Sequence, residues 1–283
     1  MFRLSAVVIL YHPDATCSDN IKSYLEHVDI LYVIDNSPQK NDFPADIIKS
    51  PKVKYFSDLE NRGIATRLNE ALQYSAAAGY DWLLTMDQDS SFEKDALMNY
   101  KKCIAGFPNP NEVAMFGVEY GQKAIQEDCS PVDAANLITS GSIVNIKTAR
   151  ELNGFDENLF IDEVDFEYCY KAKLKGLRIV KFENIHLSHR IGEQSNFRSL
   201  KNLKVTKRAL HSPIRTYYMI RNHFYVQKKY GKLYPDVFQK RRKDVFTSVK
   251  NNLIYGKSKI KTLLSFIKGY RDYRRNRFGK THE

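Results

Sequence analysis

The sequence predicts an α/β fold, an open and mostly parallel sheet with helices on both faces, followed by a basic α-helical C-terminal extension. Near-continuous apolar segments of strand length alternate with amphipathic segments through the first two thirds of the chain. After about residue 197, helical patterns rich in Lys and Arg replace them. We therefore expect two domains, residues 1–197 with the sheet and residues 198–283 with the basic helices.

The predicted strands are apolar along their whole length, which is typical of strands buried on both faces of a parallel sheet. They cover residues 4–11, 30–34, 81–86 and 113–118. Helices are predicted between them from apolar residues spaced by three or four, over residues 21–28 and over residues 63–78, where Gly79 is the expected C-terminal cap. A third helix is predicted to begin at Ser90, because Ser90 and Glu93 have the spacing of a capping box.

The C-terminal region is predicted to form basic amphipathic helices. Ser212 followed by Pro213 is a strong helix start, and Gly231 is the expected end of that helix. A further helix is expected over residues 260–270, where apolar residues stand among lysines, and the arginines from Arg271 onwards are expected to be frayed and solvated.

Charge is distributed unevenly along the 283 residues. The formal net charge is +11, but residues 198–283 hold 24 basic and 4 acidic residues, so the preceding part of the chain is acidic. A basic region of this kind needs a polyanionic partner or surface, for which nucleic acid, anionic lipid headgroups and a diphosphate-bearing substrate are candidates. No base-reading module is present in the sequence, so no nucleic-acid partner is expected.

Neither a membrane span nor a secretory leader is predicted. No apolar run approaches the roughly 18 residues that a transmembrane helix needs. Residues 4–11 lack a small-residue cleavage pattern and run directly into His12 and Pro13. The cysteines form no Cys-x-x-Cys pair of the kind found in zinc or redox sites, and we expect free thiols in a reducing cytoplasm. They are Cys17, Cys103, Cys129 and Cys169.

Two carboxylates, Asp87 and Asp89, directly follow the strand predicted over residues 81–86. In an open α/β sheet the ligand crevice lies beyond the carboxyl ends of the strands, so these carboxylates are placed where a metal-chelated diphosphate could be held. A structural role, in which Asp89 begins the next turn together with Ser90 and Ser91, is equally compatible with this position.

A second acidic cluster is interleaved with apolar residues and leads into a predicted helix that ends near Gly176. Its members are Asp162, Glu163, Asp165 and Glu167. Apolar neighbours would keep some of these carboxylates partly buried, which raises the pKa of a carboxylate and suits a general base. Favourable interaction with the helix dipole explains one or two of the four, but not all of them.

Two histidines, His186 and His189, follow a strand predicted over residues 178–182. A neutral imidazole beyond a strand end can be a metal ligand, although an ordinary loop or core histidine is commoner. Upstream, Asp35 closes the second strand, and Asn61 and Gly63 open the second helix. Turn chemistry explains these three residues, and their positions also suit contacts to a nucleotide base and phosphates.

Taken in order, these segments resemble the family 2 glycosyltransferases of GT-A fold, and within them the bacterial rhamnosyltransferase-like branch. The resemblance covers roughly residues 4–230. An Asp-x-Asp pattern alone is weak evidence, but the ordered series is specific. It consists of residues 7–11, 33–37, 61–65, 86–89, 139–142 and 154–156, the acidic cluster, residues 189–192, and Tyr217, Tyr218, Arg221 and Asn222.

The resemblance implies a Rossmann-like GT-A catalytic domain over residues 1–197 that binds a nucleotide-sugar donor. Asp35 would contact the nucleobase, and Asp87 would contact the ribose or the phosphates. Asn61 and Gly63 would belong to the same donor site.

The resemblance also assigns the metal and the general base. Asp89 and His189 would hold a divalent cation, Mn²⁺ or Mg²⁺. Asp165 would be the general base, with Glu163 and Asp162 as the competing assignments.

The function implied by the resemblance is that of an inverting, metal-dependent hexosyltransferase in cell-surface polysaccharide biosynthesis. Its donor would be a nucleoside-diphosphate sugar, with dTDP-rhamnose favoured, and its acceptor a saccharide linked to a lipid diphosphate. The basic helices would hold the enzyme at the anionic inner face of the bacterial cytoplasmic membrane. The alternatives are a nucleotidyltransferase, whose Gly-rich, Lys-containing loop is absent from the N-terminal region, and a catalytically inactive polyanion-binding adaptor.

Overall fold

The structure, a computed structural model, describes residues 3–121, 128–189, 194–198 and 205–281. The chain divides into two compact units. The first consists of Met1–Phe160 and Val164–Arg190, and the second of Ile161–Glu163 and Ile191–Glu283. Residues 161–163 therefore belong to the second unit, although the residues that precede and follow them in the sequence belong to the first.

The first unit contains a sheet of nine strands, counted over the residues that the structure describes. The strands are β1 (Leu4–Leu10), β2 (Ile30–Asp35), β3 (Val53–Ser57), β4 (Trp82–Asp87), β5 (Ser90–Phe92), β6 (Val113–Tyr120), β7 (Pro131–Asp133), β8 (Ser142–Asn145) and β9 (Arg178–His189). Their order is β3-β2-β1-β4-β8-β6-β9-β5, and β7 pairs with β9.

The strand directions bring six carboxyl ends to one edge of the sheet. Strands β3, β2, β1 and β4 are parallel neighbours, and β6 is parallel to β9. Strand β8 is antiparallel to both β4 and β6, so β4 and β6 run in the same direction. The carboxyl ends of these six strands therefore lie at the same edge, which is where ligands bind in open α/β sheets.

Helices cover both faces of this sheet, as the sequence predicts. They are α1 (Cys17–Leu25), α2 (Ala45–Ile48), α3 (Ile64–Ala77), α4 (Ala96–Ala105), α5 (Ile146–Glu151) and α6 (Val164–Leu174). On one face, Leu4, Ala6, Val8 and Leu10 of β1 belong to a core cluster with residues of α1 and α4. On the other face, the Ser5 hydroxyl of β1 donates to the Ser75 hydroxyl of α3 at 2.8 Å. Successive residues of a strand point to opposite faces, so β1 is buried from both sides.

The prediction that a helix begins at Ser90 is wrong. Residues 90–92 form β5, which pairs with β9 in antiparallel orientation, and α4 begins only at Ala96. Phe92 is buried in the core, and this burial together with the strand pairing outweighs the capping-box pattern. Strand β9 is also longer than expected, so His186 and His189 lie within it rather than after it.

The expectation of four free thiols is also wrong. Cys103, near the end of α4, and Cys129, just before β7, form a disulfide across a separation of 26 residues. The fold brings their Cα atoms to 5.5 Å, within the normal range for a disulfide, which spacing along the chain does not reveal. Cys17 and Cys169 are free and buried.

The second unit contains the hairpin β10 (Gln194–Arg198) and β11 (Val205–Ala209), and three helices, α7 (Pro213–Tyr230), α8 (Pro235–Tyr255) and α9 (Lys259–Arg274). As predicted, Ser212 caps α7, since its hydroxyl accepts a hydrogen bond from the Arg215 backbone N–H at 3.2 Å. Helix α9 continues to Arg274, so the expectation that the chain frays from Arg271 is wrong. The sequence analysis did not predict α8.

A small apolar core and a buried arginine stabilise this helical region. Ile220 of α7 and Val245 and Val249 of α8 form the core, and Phe266 of α9 packs against it. The guanidinium of Arg221 lies 4.9 Å from the ring centroid of Tyr218 and donates to the Gly279 carbonyl at 2.6 Å. Among the described residues, no helix combines the length and the hydropathy that a membrane span requires.

We predict that Ser212→Ala lowers the free energy of unfolding by about 1 kcal/mol, because it removes the side-chain cap of α7. Ser258→Ala is the matched control, since Ser258 stands at the same position of α9 but its side chain makes no capping hydrogen bond. Urea unfolding followed by circular dichroism measures both variants. Equal losses would contradict the assignment of the Ser212 cap.

Candidate functional site

The site lies at the edge of the sheet where the carboxyl ends of the parallel strands meet. Leu10 of β1 pairs with Asp35 of β2 on one side, and Ile9 pairs with Asp87 of β4 on the other. The two aspartates therefore flank the end of the central strand, one residue apart along it. The local cause is the parallel register, because it aligns strand ends that are 52 positions apart in the sequence.

Asp35 is fully buried, and its carboxylate is fixed by three donors. It accepts hydrogen bonds from the Ser37 backbone N–H at 2.9 Å, the Asn41 amide at 2.8 Å and the Tyr55 hydroxyl at 2.9 Å. Burial and the hydrogen bond to Asp35 raise the pKa of Tyr55 to about 12, so this hydroxyl remains a donor at neutral pH. Asp35 is thus held in a single orientation at the end of β2.

The residue after Asp35 connects β2 to the start of α3. The Asn36 side-chain amide donates to Asn61 Oδ1 at 2.9 Å, and Asn36 Oδ1 accepts from the backbone N–H of Arg62 at 2.8 Å. Asn61 Oδ1 also accepts from the Gly63 backbone N–H at 3.1 Å. The structure thus brings three of the predicted donor residues, Asp35, Asn61 and Gly63, into one hydrogen-bonded loop cluster.

Gly63 is required by its backbone conformation and by close packing. Its φ is +84°, and a Cβ atom there would lie 2.5 Å from a ring carbon of Phe160 and 2.7 Å from the Phe160 carbonyl oxygen. That carbonyl accepts a hydrogen bond from the Ile64 backbone N–H at 2.7 Å. The start of α3 is therefore fixed against the residue that directly precedes the acidic cluster.

Asp87 ends β4 beside two serines and a tyrosine. Its backbone N–H donates to Ser140 Oγ at 3.2 Å, and Ser140 Oγ donates to Ser90 Oγ at 2.7 Å. The Tyr120 hydroxyl donates to the Ser140 carbonyl at 2.5 Å. The pKa of Tyr120 is raised, mainly by burial and further by the negative charges of Asp87 and Asp165. The predicted donor residue and the predicted base thus act electrostatically on the same tyrosine.

The sequence analysis did not select Tyr120. The only signal available was its position just beyond the apolar segment predicted as a strand, and a tyrosine at a strand end is too common to indicate a site.

Gln88 and Asp89 follow in the turn between β4 and β5. Gln88 Oε1 accepts from the Tyr11 backbone N–H at 2.8 Å, and Gln88 Nε2 donates to the Tyr11 carbonyl at 3.2 Å, which joins the ends of β1 and β4. The pKa of Cys17 is raised to about 12, chiefly by burial and then by Asp14, Asp89 and Asp35. Several carboxylates therefore concentrate negative charge beside the start of α1.

His189 is the last residue of β9, and its backbone pairs with that of Ser90, the residue after Asp89. The side chain of His189 lies outside the described part of the structure, as do Arg190 and residues 191–193. Among the described residues, no group of three or more His, Cys, Asp or Glu side chains is placed to hold a metal ion.

The segment before α6 has a strained backbone. Phe160, Asp162 and Glu163 have φ values of 63°, 61° and 67°, a left-handed conformation that costs roughly 1–2 kcal/mol per residue for L-amino acids. Within the second unit, the Asn222 amide donates to the carbonyls of Ile161 at 2.6 Å and Asp162 at 3.1 Å. These hydrogen bonds help to hold the unusual conformation.

Two carboxylates of this segment pair with arginines of the second unit. Asp162 lies 3.1 Å from Arg215, and the buried Glu163 lies 2.6 Å from Arg241. Burial raises the pKa of Glu163, an effect that Arg241 opposes. Burial and Arg241 lower the pKa of the neighbouring His223 to about 4, so His223 is neutral and Arg241 provides the positive charge.

The other two acidic residues lie in the first turn of α6, in the first unit. Asp165 is partly buried, and its Oδ1 accepts from the Phe166 backbone N–H at 2.9 Å. Glu167 is fully buried and lies 3.4 Å from the Lys171 amine, which donates to the Gly154 carbonyl at 2.6 Å. The cluster therefore divides into two pairs with different surroundings.

Comparison with known proteins identifies the first part of the chain. Residues 5–123 match the family Glycosyl transferase family 2. The matched segment contains Asp35, Asn61, Gly63, Asp87 and Asp89. The predicted family and glycosyltransferase as the enzyme class are confirmed.

Similarity to individual proteins covers more of the chain than the family match does. The dTDP-rhamnosyl transferase RfbF of Shigella flexneri is 24% identical over 243 residues, which is 80% of each chain. GalNAc-T7, solved with UDP, GalNAc and Mn²⁺, superposes with a TM-score of 0.63 at 12% identity, over 97% of this chain and 56% of that one. S. aureus TarS superposes with a TM-score of 0.57 at 15% identity, over 96% of this chain and 49% of that one.

The chain thus spans about half the length of these two solved structures. At such low identities the likeness concerns the fold, and the predicted GT-A fold with C-terminal helices is confirmed.

We predict that Gly63→Ala destabilises the glycosyltransferase domain by about 1–3 kcal/mol more than Gly176→Ala does, because only the first places a Cβ atom against Phe160. Gly176 is the matched control, since its φ is +76° and an added Cβ would meet nothing within 4 Å. Both glycines have positive φ, and the ψ of 161° at Gly63 adds backbone strain to the close contact with Phe160. Chemical denaturation measures the difference, and equal free energies of unfolding would contradict the close packing at Gly63.

Proposed function

We propose that this protein is an inverting, metal-dependent glycosyltransferase that transfers rhamnose from dTDP-rhamnose to a saccharide acceptor. The observation that carries the proposal is the parallel register that places Asp35, at the end of β2, and Asp87, at the end of β4, on either side of the end of β1 at the ligand-binding edge of the sheet. The effect of both Asp87 and Asp165 on the pKa of Tyr120 is consistent with Asp165 lying near this edge. A donor-binding carboxylate and a general base have to lie on either side of one sugar-sized space. The similarity to RfbF, a dTDP-rhamnosyl transferase, supports the choice of donor.

The nucleotide of the donor binds at the loop cluster of Asp35, Asn61 and Gly63. The fixed carboxylate of Asp35 suits a directional hydrogen bond to the nucleobase, because its orientation is already determined by Ser37, Asn41 and Tyr55. Asp87 contacts the ribose or the phosphates from the other side of β1.

Asp89 and His189 hold the divalent cation, Mn²⁺ or Mg²⁺. The pairing of Ser90 with His189 supports this assignment, because it brings the backbone of the residue after Asp89 beside the backbone of His189. A carboxylate and an imidazole suit either ion. When bound, the cation neutralises the negative charge that develops on the leaving diphosphate.

Asp165 is the general base. The competing residues Asp162 and Glu163 are engaged in ion pairs with Arg215 and Arg241 within the second unit, so their carboxylates already have cationic partners there. Asp165 instead belongs to the first unit, with Asp87 and Tyr120.

The reaction follows from this arrangement. The acceptor oxygen attacks the anomeric carbon while the bond from that carbon to the diphosphate oxygen breaks, and the proton of the acceptor hydroxyl passes to Asp165. Attack from the face opposite the leaving group inverts the anomeric configuration.

The acceptor is a saccharide linked to a lipid diphosphate, and the enzyme acts in cell-surface polysaccharide synthesis at the inner face of the bacterial cytoplasmic membrane. The excess of basic residues after Arg198 supports this location, because each basic residue near an anionic membrane contributes about 1 kcal/mol of attraction.

We predict that Asp165→Asn lowers the rate of transfer by about 10²- to 10⁴-fold with little change in donor affinity, because the amide cannot take the proton. Single-turnover kinetics and donor titration measure the two quantities. Asp162→Asn and Glu163→Gln, with stability measured in parallel, are the comparison variants. If one of these folded variants showed the large loss and Asp165→Asn did not, the base would be reassigned to that residue.

We predict that dTDP-rhamnose with Mn²⁺, at 100 times its dissociation constant, stabilises the fold by about 2.7 kcal/mol, and that chelation of the cation removes most of this effect. Asp89→Asn is expected to abolish the dependence on Mn²⁺. Asp81→Asn is the matched control, because Asp81 directly precedes β4 at its opposite end. Thermal unfolding measures all three proteins. The donor and metal assignments both fail if no nucleotide sugar stabilises the wild-type protein with either ion.

A further inference from the structure

Helix α9 exposes an apolar face. Ile260 is 76% exposed and Leu264 is 59% exposed, and they are two of several large apolar residues exposed on this helix. They belong to an apolar stripe of residues at a spacing of three or four, which places them on one side of the helix. The stripe consists of Ile260, Leu263, Leu264, Ile267 and Tyr270.

The opposite side of α9 is already used for packing. Thr262, Gly269 and Asp272 are buried, and a Cβ atom at Gly269 would lie 2.7 Å from the Tyr217 carbonyl of α7. The apolar stripe is therefore not the face by which α9 packs on the other helices, because a separate face makes that contact. A helix with one packed face and a second, exposed apolar face requires another apolar environment.

The stripe continues into an apolar groove between α8 and α9. The groove has a volume of about 370 Å³ and is lined by Phe246, Val249, Leu253, Ile254, Leu263 and Phe266, with Lys250. Leu263 belongs to both features, so the groove and the apolar stripe form one continuous surface. Phe246 is itself partly exposed at its rim.

Basic residues surround this surface. Lys257, Lys259 and Lys261 are exposed at the start of α9, and Arg271 and Arg274 are exposed at its end. Asp272, the acidic residue within α9, is buried on the packed face. The exposed side of the helix therefore combines apolar side chains with positive charge at both ends.

We infer that the apolar stripe and its lysines are the surface by which the protein lies on an anionic phospholipid bilayer, with α9 parallel to the membrane plane. A helix of this kind buries its apolar face at the boundary between headgroups and acyl chains while its cations contact anionic headgroups. A second copy of the chain fits less well, because a symmetric dimer would bring two basic surfaces together. The inference rests on the membrane location in the proposed function and assigns that location to particular residues.

The test uses the full-length protein and vesicles of phosphatidylcholine, either alone or mixed with phosphatidylglycerol. We expect co-sedimentation with the mixed vesicles, little with neutral ones, and weakening by salt. The variant Leu264→Ser with Ile267→Ser should bind the mixed vesicles roughly tenfold more weakly or worse. Leu233→Ser is the matched control, because Leu233 is also exposed, at 54%, but lies outside α9.

Charge is tested separately. Lys259→Gln with Lys261→Gln should weaken binding by about fivefold for each lysine removed, whereas Lys232→Gln with Lys240→Gln, which removes the same charge elsewhere, should weaken it much less. Equal effects of the two pairs, or equal binding of the Leu264/Ile267 variant and the Leu233 control, would overturn the inference. A dimer in vesicle-free solution that Leu264→Ser with Ile267→Ser dissociates would also overturn it, and would assign the stripe to a second copy.

Donor binding, measured without vesicles, separates this inference from the proposed function. The Leu264/Ile267 variant should bind dTDP-rhamnose as the wild type does. Loss of vesicle binding with donor binding retained supports the docking surface. If the wild-type protein binds no donor but its vesicle binding depends on the apolar stripe, the proposed transfer fails while the docking surface stands.

Discussion

The parallel pairing of β1 with β2 on one side and with β4 on the other is the constraint on which the candidate site depends. It places Asp35 and Asp87 on opposite sides of the end of β1, although the two residues are far apart in the sequence. The loops that follow then meet because their strands end together. The Gln88 side chain contributes to this by joining the ends of β1 and β4 through the Tyr11 backbone.

A second constraint acts at the segment before α6. Three residues there have positive φ, and such a conformation persists only when surrounding interactions compensate its cost. Asn222, Arg215 and Arg241 of the second unit provide hydrogen bonds and ion pairs to residues 161–163. The C-terminal helices therefore have a structural role at residues 161–163 of their own unit, in addition to the charge that they carry. The base proposed at Asp165 follows directly after this restrained segment.

Much of the fold and several site residues could be predicted from local signals. Apolar strands predicted the sheet, and the acidic residues Asp35, Asp87 and Asp89 were found because they follow those strands. Tyr120, Arg241 and the Cys103–Cys129 disulfide could not be predicted in this way. Each depends on a partner far away in the sequence, such as Glu163 for Arg241, and neither residue type nor spacing specifies that partner. At Ser90 a local signal was misleading: the residue has a capping-box pattern, but its pairing with β9 makes it part of a strand.

The sequence by itself determined that β1, β2, β4 and β6 are buried strands, where α3 and α7 begin and end, and how the charge divides between the two parts of the chain. These properties follow from hydrophobic period, capping chemistry and composition, all of which act over a few residues. Only the tertiary structure decided which carboxylates of the acidic cluster pair with arginines and which face of α9 remains exposed. Those outcomes depend on long-range packing, because the apolar side of α9 is the exposed one, and the sequence of a single helix does not specify which of its faces the neighbouring helices will cover.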